Sequence, residues 1–192
     1  MESIHPEIER LLIGLDAAER DARALVDGLS EGQGRWRETP GSWSVAECLD
    51  HLATSSRVYL EAMRPAAERA QAAGKLRTRP ALPGVIGAWF VNQLEPPVKS
   101  RMRAPSKIRP RPAAGLRESI EAFLSEQQRV RGFFCRYADI DLARVHFQNP
   151  FIRVVRFSLA TGFHVIPAHQ RRHLEQAWRI RRAATAANSD VS

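Results

Sequence analysis

Two stretches of the chain place histidines at spacings that suit a metal site. His169 and His173 are four residues apart, so on a helix their imidazoles lie on one face about one turn apart. His51 lies in a separate predicted helix that begins just after Trp43. Three imidazoles from two helices can hold a divalent metal ion and leave one coordination position open. The sequence therefore predicts a metal site made from His51, His169 and His173.

Helical geometry separates these histidines from the others. At about 100° per residue, His173 lies about 40° from His169, and the apolar Ile180 lies in the same direction. The pair is therefore predicted to face inward. His164 falls on the opposite side and is not expected to be a ligand. We interpret His5, at a helix start, and His146, in a loop, as surface residues.

Two buried imidazoles carry four ring nitrogens that need partners. A metal ion would satisfy one nitrogen of each ring, and an acceptor behind the ring would satisfy the other. Gln176, one turn beyond His173, is one predicted acceptor, and Glu47 is a second. The alternative is a pair of core histidines that hydrogen bond to carbonyl groups or water.

Other polar residues near His51 have simpler explanations. Ser44 and Glu47 form an S-x-x-E capping box, which accounts for Glu47 without a role as an acceptor or a general base. Asp50 points away from His51 on a helix, so a surface position is expected. Cys48 is interpreted as a core residue rather than a nucleophile. No residue is identified as catalytic.

Apolar periodicity predicts an all-α fold with four long helices. Pro65 predicts a kink in the second helix or its end near Arg64, and Pro167 predicts a kink or a late start in the fourth. Between the second and third helices, a long proline-rich segment is expected to cross the fold and to be functional or to pack over another part of the protein, for example as a lid. The predicted helices cover residues 6–29, 45–73, 114–137 and 158–187, and the loops cover 30–41, 75–112 and 139–150. Within 75–112, the apolar residues 85–94 are predicted to form one or two helical turns. Residues 151–157 are predicted to form a short strand or simply the approach to the fourth helix.

The chain has 192 residues, a net charge of +8 and two cysteines without CxxC spacing. This composition predicts a cytoplasmic protein without a signal peptide, a disulfide framework or a membrane partner. We interpret the positive charge as a solvated arginine-rich surface, with an anionic partner as the alternative. A basic run from Lys99 to Arg111 has few aromatic residues, which disfavours nucleic acid.

The histidine motifs resemble those of the DinB superfamily, in particular its YfiT-like metal-dependent branch. The matching stretches are Trp43-Ser44-Val45-Ala46-Glu47 leading to His51-Leu52, and His169-Gln170-Arg171-Arg172-His173-Leu174-Glu175-Gln176. The resemblance implies an antiparallel four-helix bundle over most of the chain, often as a homodimer. We place this single domain at residues 1–188, and the small and polar residues of the tail at 189–192 predict that it frays. It implies His51, His169 and His173 as the metal ligands. The segment with Pro105, Lys107 and Pro110 resembles the loop that crosses the site in relatives.

The resemblance also implies a class of activity. The family includes transferases and isomerases that use low-molecular-weight thiols, and members described as metal-dependent hydrolases. We therefore expect a divalent metal, zinc or nickel, with an anionic or thiol-containing small molecule as substrate, and thiol transfer or hydrolysis as the reaction. Two alternatives stay open: a non-catalytic metal-binding bundle with a stress-related role, and a basic protein that binds anions or nucleic acid and whose histidines are structural.

Overall fold

The computed structural model describes residues 5–97, 104–152 and 154–189, and this part of the chain is mostly helical. The long helices are α1, α3, α5 and α6. Short elements lie between them. The bounds are α1 Pro6–Val26, α2 Glu31–Arg35, α3 Val45–Ala72, α4 Val85–Leu94, a 3-10 turn Ser106–Ile108, α5 Leu116–Arg136, β1 His146–Gln148, β2 Arg156–Ser158 and α6 Leu159–Ser189.

The four long helices share one core. α3 packs against α5 and α6, and α1 packs against the same two helices. The apolar residues at three- and four-residue spacing point into this core, where the rings of Phe134 on α5 and Phe163 on α6 stack 4.1 Å apart. Burying a side chain of this size contributes about 1.5–3 kcal/mol. A second apolar cluster, around Leu49 of α3 and Leu174 of α6, fills the end of the fold that also carries the histidines.

Neither proline interrupts its helix. α3 runs through Pro65 to Ala72, and α6 runs through Pro167 without a break. Each proline removes one backbone donor, but packing of the helix on both sides of it against the core outweighs that loss. α3 ends where predicted, before Gly74, which has a φ of 60°.

The predicted loops 30–41 and 139–150 each contain a short regular element. Ser30 caps α2 within the expected 30–41 loop, through a capping box with Gln33. The region 139–158 holds an antiparallel strand pair, in which Phe147 of β1 is opposite Phe157 of β2. The strand predicted at 151–157 is therefore shorter and later, and His146 lies in a strand rather than a loop, though it is exposed as expected.

The proline-rich segment is partly ordered against the helices. α4 packs on α6, and Gly87 permits the close approach because a Cβ at this position would overlap the Thr161 side chain. The opposite face of α4 is apolar and exposed at Val85, Ile86 and Trp89. The 3-10 turn packs on α3.

Some predictions concern residues outside the described ranges. Lys99, Arg101 and Arg103 of the basic run lie there, as do residues 190–192 of the predicted tail, whereas Ser189 is the last residue of α6. Among the described residues, no helix combines the length and the apolar character that crossing a membrane requires.

Candidate metal centre

The structure brings together the three histidines that the sequence singled out. His51 projects from α3, and His169 and His173 project from adjacent turns of α6. One ring nitrogen of each lies within 4.8 Å of the others. His51 and His173 are buried, and His169 is half-buried. In the described part of the chain this is the one group of at least three His, Cys, Asp or Glu side chains that could hold a metal ion.

Each histidine has an acceptor at its Nδ1 atom. Nδ1 of His51 lies 2.5 Å from the carbonyl oxygen of Ile108, and Nδ1 of His173 lies 3.0 Å from Oε1 of Gln176. Nδ1 of His169 lies 3.3 Å from the hydroxyl of Ser55, which itself donates to the Leu52 carbonyl. If all three rings donate their Nδ1–H to these acceptors, all three Nε2 lone pairs remain for a shared ligand.

The spacing of the Nε2 atoms fits a metal ion. Nε2 of His51 and Nε2 of His169 are 3.2 Å apart. Two zinc–nitrogen bonds of about 2.0–2.1 Å at a tetrahedral angle would separate the nitrogens by about 3.3 Å. Alternatively, His169 could carry its proton on Nε2 and donate it to Nε2 of His51. That arrangement leaves Nε2 of His173 without a hydrogen-bonding protein partner among the described residues, whereas a shared ion uses all three.

Burial keeps the three imidazoles neutral, which is the form that binds metal. Burial lowers the pKa of His173 from 6.5 to about 3, with further lowering by the charges of His51 and Arg172. Burial also lowers the pKa of His169 well below its usual value, as do the neighbouring histidines and Arg172. The pKa of His51 is lowered by burial, although its hydrogen bond to Ile108 opposes this.

Aromatic and apolar groups surround the cluster. The indole of Trp43 lies over two of the rings, with centroids 4.7 Å from His51 and 5.5 Å from His173. Cys48, one turn before His51, is fully buried, and burial raises the pKa of its thiol far above the usual range. A neutral buried thiol is not a nucleophile, in agreement with its interpretation as a core residue.

The two carboxylates near His51 in sequence are both engaged with arginines. Glu47 accepts from the backbone N–H of Ser44, as the capping box predicts, and from the guanidinium of Arg37. Its predicted role as an acceptor for a histidine stays a prediction. The surface position expected for Asp50 is wrong, because its side chain is buried against Arg111, which lies 61 residues further along the chain.

His164 is outside the cluster. It is half-buried rather than on the solvent side, and its Nδ1 lies 2.8 Å from the carbonyl oxygen of Ala160 on its own helix. His164 therefore has a hydrogen-bonding partner within its own helix and is not part of the histidine cluster.

Three contributors to the site were not predicted. The sequence could have indicated Ser55, because this residue is one turn beyond His51 on the same face of α3. Trp43 directly precedes the capping box that begins α3, and its contact with the rings depends on how α3 meets α6. Ile108 contributes a backbone carbonyl, which no residue type can reveal.

Comparison with known proteins identifies the family of this chain. The model of the DinB superfamily matches residues 14–177, a range that includes all three histidines. Searches of curated proteins and of solved structures each gave no significant match. The family match covers most of the chain, and the protein therefore belongs to the DinB superfamily.

Proposed function

We propose that this protein is a metal-dependent enzyme in which His51, His169 and His173 bind one divalent metal ion through their Nε2 atoms. The observation that carries the proposal is the arrangement of the three rings. Each Nδ1 has a protein acceptor, one ring nitrogen of each histidine lies within 4.8 Å of the others, and the Nε2 atoms of His51 and His169 are 3.2 Å apart. The rings are also neutral at ordinary pH, because burial lowers their pKa values.

Three imidazoles without a thiolate or carboxylate suit zinc or nickel better than calcium or magnesium. Such an ion with an open position lowers the pKa of water, or stabilises a thiolate that binds to it. The chain's own residues orient the rings, exclude bulk water around His51 and His173, and hold a proton on each Nδ1.

Thiol transfer is the reaction that the surroundings favour. Hydrolysis needs a general base near the water, and the carboxylates of Glu47 and Asp50 are each held in an ion pair with arginine. A low-molecular-weight thiol brings its own nucleophile, and because its pKa is only about 8.5, a bound metal ion would lower it enough for the proton to pass to solvent water without a carboxylate base. We therefore propose such a thiol as a co-substrate, and an electrophilic small molecule as its partner.

The proposal includes the antiparallel four-helix bundle of the family. Its support is that α1 and α3 each pack against both α5 and α6, and that α3 and α6 supply the histidines. Metal sites in such bundles are built from side chains on facing helices. The proline-rich segment would cross this bundle at the site, which is consistent with the contact between Ile108 and His51.

Measurement of the metal content tests the proposed metal site. Protein purified without a nickel column should hold close to one metal ion per chain, and His169→Ala should lose it. His146→Ala is the matched control, because His146 is an exposed histidine of β1. Less than ~0.2 ion per chain in the unmodified protein, even after zinc is supplied, would refute the metal site.

Activity separates an enzyme from the second candidate, a non-catalytic metal-binding protein. That candidate is favoured by the engaged carboxylates, which leave no free general base near His51 in its own helix. Metal-loaded protein should consume an electrophile only when a thiol is present, and His169→Ala should abolish this consumption. Full metal binding without turnover across a panel of thiols, electrophiles and esters would favour the binding protein.

A further inference from the structure

Asp50 is a buried carboxylate beside the metal centre that the proposed chemistry does not use. Its side chain is only 4% exposed. Its Oδ2 accepts from the backbone N–H of Arg111 at 2.8 Å, its Oδ1 accepts from Nε of Arg111 at 2.9 Å, and Oδ1 also forms an ion pair with Nη2 at 2.7 Å. Asp50 therefore holds both the backbone and the side chain of a residue in the proline-rich segment.

The same segment also contacts the next residue of α3. Ile108 lies three positions before Arg111, and its carbonyl oxygen accepts from Nδ1 of His51. Two consecutive residues of α3, Asp50 and His51, thus bind two points of one short stretch. We call residues 104–114 the crossing segment.

Asp50 holds the crossing segment in place more strongly than His51 does. The crossing segment has little regular structure beyond a three-residue 3-10 turn, so a single hydrogen bond to His51 would hold it poorly. Asp50 adds two hydrogen bonds and an ion pair, and one of these hydrogen bonds comes from the charged guanidinium. Glu118 of α5 holds the other side of the same guanidinium, 2.6 Å from Nη1, so Arg111 links the crossing segment to two helices.

We propose that the Asp50–Arg111 pair is a positioning device for the metal centre. It holds the Ile108 carbonyl against Nδ1 of His51, which keeps the proton on Nδ1 and presents Nε2 to the metal. This inference rests on the proposed metal-binding function and assigns two further residues to it. Neither residue touches the metal or a substrate.

The expected effect is a change in affinity rather than loss of the site. Replacing groups that orient a metal-binding histidine typically lowers metal affinity by about 10–100-fold. Linkage requires the reverse effect too, so metal binding should order the crossing segment. Backbone amides around Ile108 and Arg111 should therefore exchange hydrogen more slowly in the metal-loaded protein than in the metal-free protein.

The experiment compares Arg111→Ala and Asp50→Asn with Arg77→Ala as the matched control. Arg77 is also an arginine of the proline-rich segment that pairs with a buried helix carboxylate, that of Glu7, but it follows the C-terminal end of α3, whereas His51 lies near the N-terminal end of that helix. Arg111 is 55% exposed, so its truncation should leave the fold intact even if Asp50→Asn does not. Arg111→Lys keeps the positive charge but not the several donors of the guanidinium, so its zinc affinity should lie between those of Arg111→Ala and the unmodified protein.

Two readouts are needed. Zinc affinity, measured by competition with a chromophoric chelator, should fall about 10–100-fold in Arg111→Ala and remain within about threefold in Arg77→Ala. In metal-free protein, the nitrogen NMR shifts of His51 should show the Nδ1–H tautomer, and Arg111→Ala should show a mixture of both tautomers. A loss of general stability alone would not change the tautomer.

The outcomes separate this inference from the proposed function. If the unmodified protein binds no zinc, the metal site itself is refuted. If it binds zinc, and Arg111→Ala binds equally well with an unchanged His51 tautomer, the positioning role is refuted while the metal site stands. An equal loss of affinity in Arg111→Ala and Arg77→Ala would also refute it, because the effect would then follow the whole proline-rich segment.

Discussion

Metal-free protein should lose stability as the pH falls from 7 to 5, and His173 should contribute a measurable share. In the unfolded chain its imidazole titrates near 6.5, whereas burial, with the charges of His51 and Arg172, lowers its pKa in the folded protein to about 3. The unfolded chain therefore binds more protons between these values. The stability present above pH 6.5 is consequently lost as the pH falls.

The magnitude follows from linkage. A group that is protonated only in the unfolded state changes the free energy of unfolding by about 1.4 kcal/mol per pH unit. From 6.5 to 5 this amounts to about 2 kcal/mol for His173, a large part of the roughly 5–15 kcal/mol that stabilises an ordinary domain. His173→Gln removes this contribution, so its stability should depend less steeply on pH.

The assay is urea unfolding between pH 7 and pH 5 with a chelator present. The difference in unfolding free energy between the unmodified protein and His173→Gln should shift by about 2 kcal/mol across this range. His146→Gln, which changes an exposed histidine, should show no such shift. Parallel curves for the unmodified protein and His173→Gln would show that His173 is not held neutral by burial, and would refute the account of the ring cluster.

Three further predictions concern the acid limit, a close helix contact and the acceptor of a ligand. Burial raises the pKa of Glu7, but hydrogen bonds from a backbone N–H and a guanidinium outweigh burial and hold that pKa at about 2. The free energy of unfolding should therefore fall by up to about 3 kcal/mol as the pH drops from 4.5 toward 2. Acid unfolding should show a smaller fall in Glu7→Gln, which lacks this carboxylate. Gly87→Ala should destabilise the protein by about 1–3 kcal/mol in urea unfolding because the added methyl group overlaps Thr161. The control Gly132→Ala, on an open helix surface, should instead stabilise the protein by up to about 1 kcal/mol. Ser55→Ala removes the acceptor of a ring N–H and should weaken zinc binding by about tenfold in chelator competition; an affinity equal to that of the unmodified protein would mean that the hydroxyl does not orient the ring.

Local patterns predicted the parts of the structure that depend on neighbouring residues. The i, i+4 spacing of His169 and His173 brings them together on any straight helix, and the capping box at Ser44 sets where α3 begins. The four long helices follow from apolar periodicity in the same way. The Ser30 capping box would have revealed α2 by the same reasoning, but the glycines around it suggested a loop.

The misses depend on residues far apart in the chain. Asp50 was expected at the surface because it points away from His51 on the helix. Its actual partner, Arg111, lies in a proline-rich segment whose course no local pattern determines. The strand pair was misplaced because β1 and β2 stabilise each other, so neither is recognisable alone. The acceptor for His51 is a backbone carbonyl, so only the course of the crossing segment identifies it.

The positions of the histidines along the chain also bear on folding. His51 and His169 are separated by 118 residues, and the chain between them contains α4, α5 and both strands. An ion shared by these two rings would close a loop of that length, as a disulfide does. Closing a loop of about 100 residues removes unfolded-chain entropy worth about 4–5 kcal/mol when the link persists in the unfolded state. An ion bound only by the folded protein acts through mass action instead, so its effect grows with its free concentration. The dependence of unfolding on zinc concentration would therefore reveal whether the centre remains a cross-link after the helices separate.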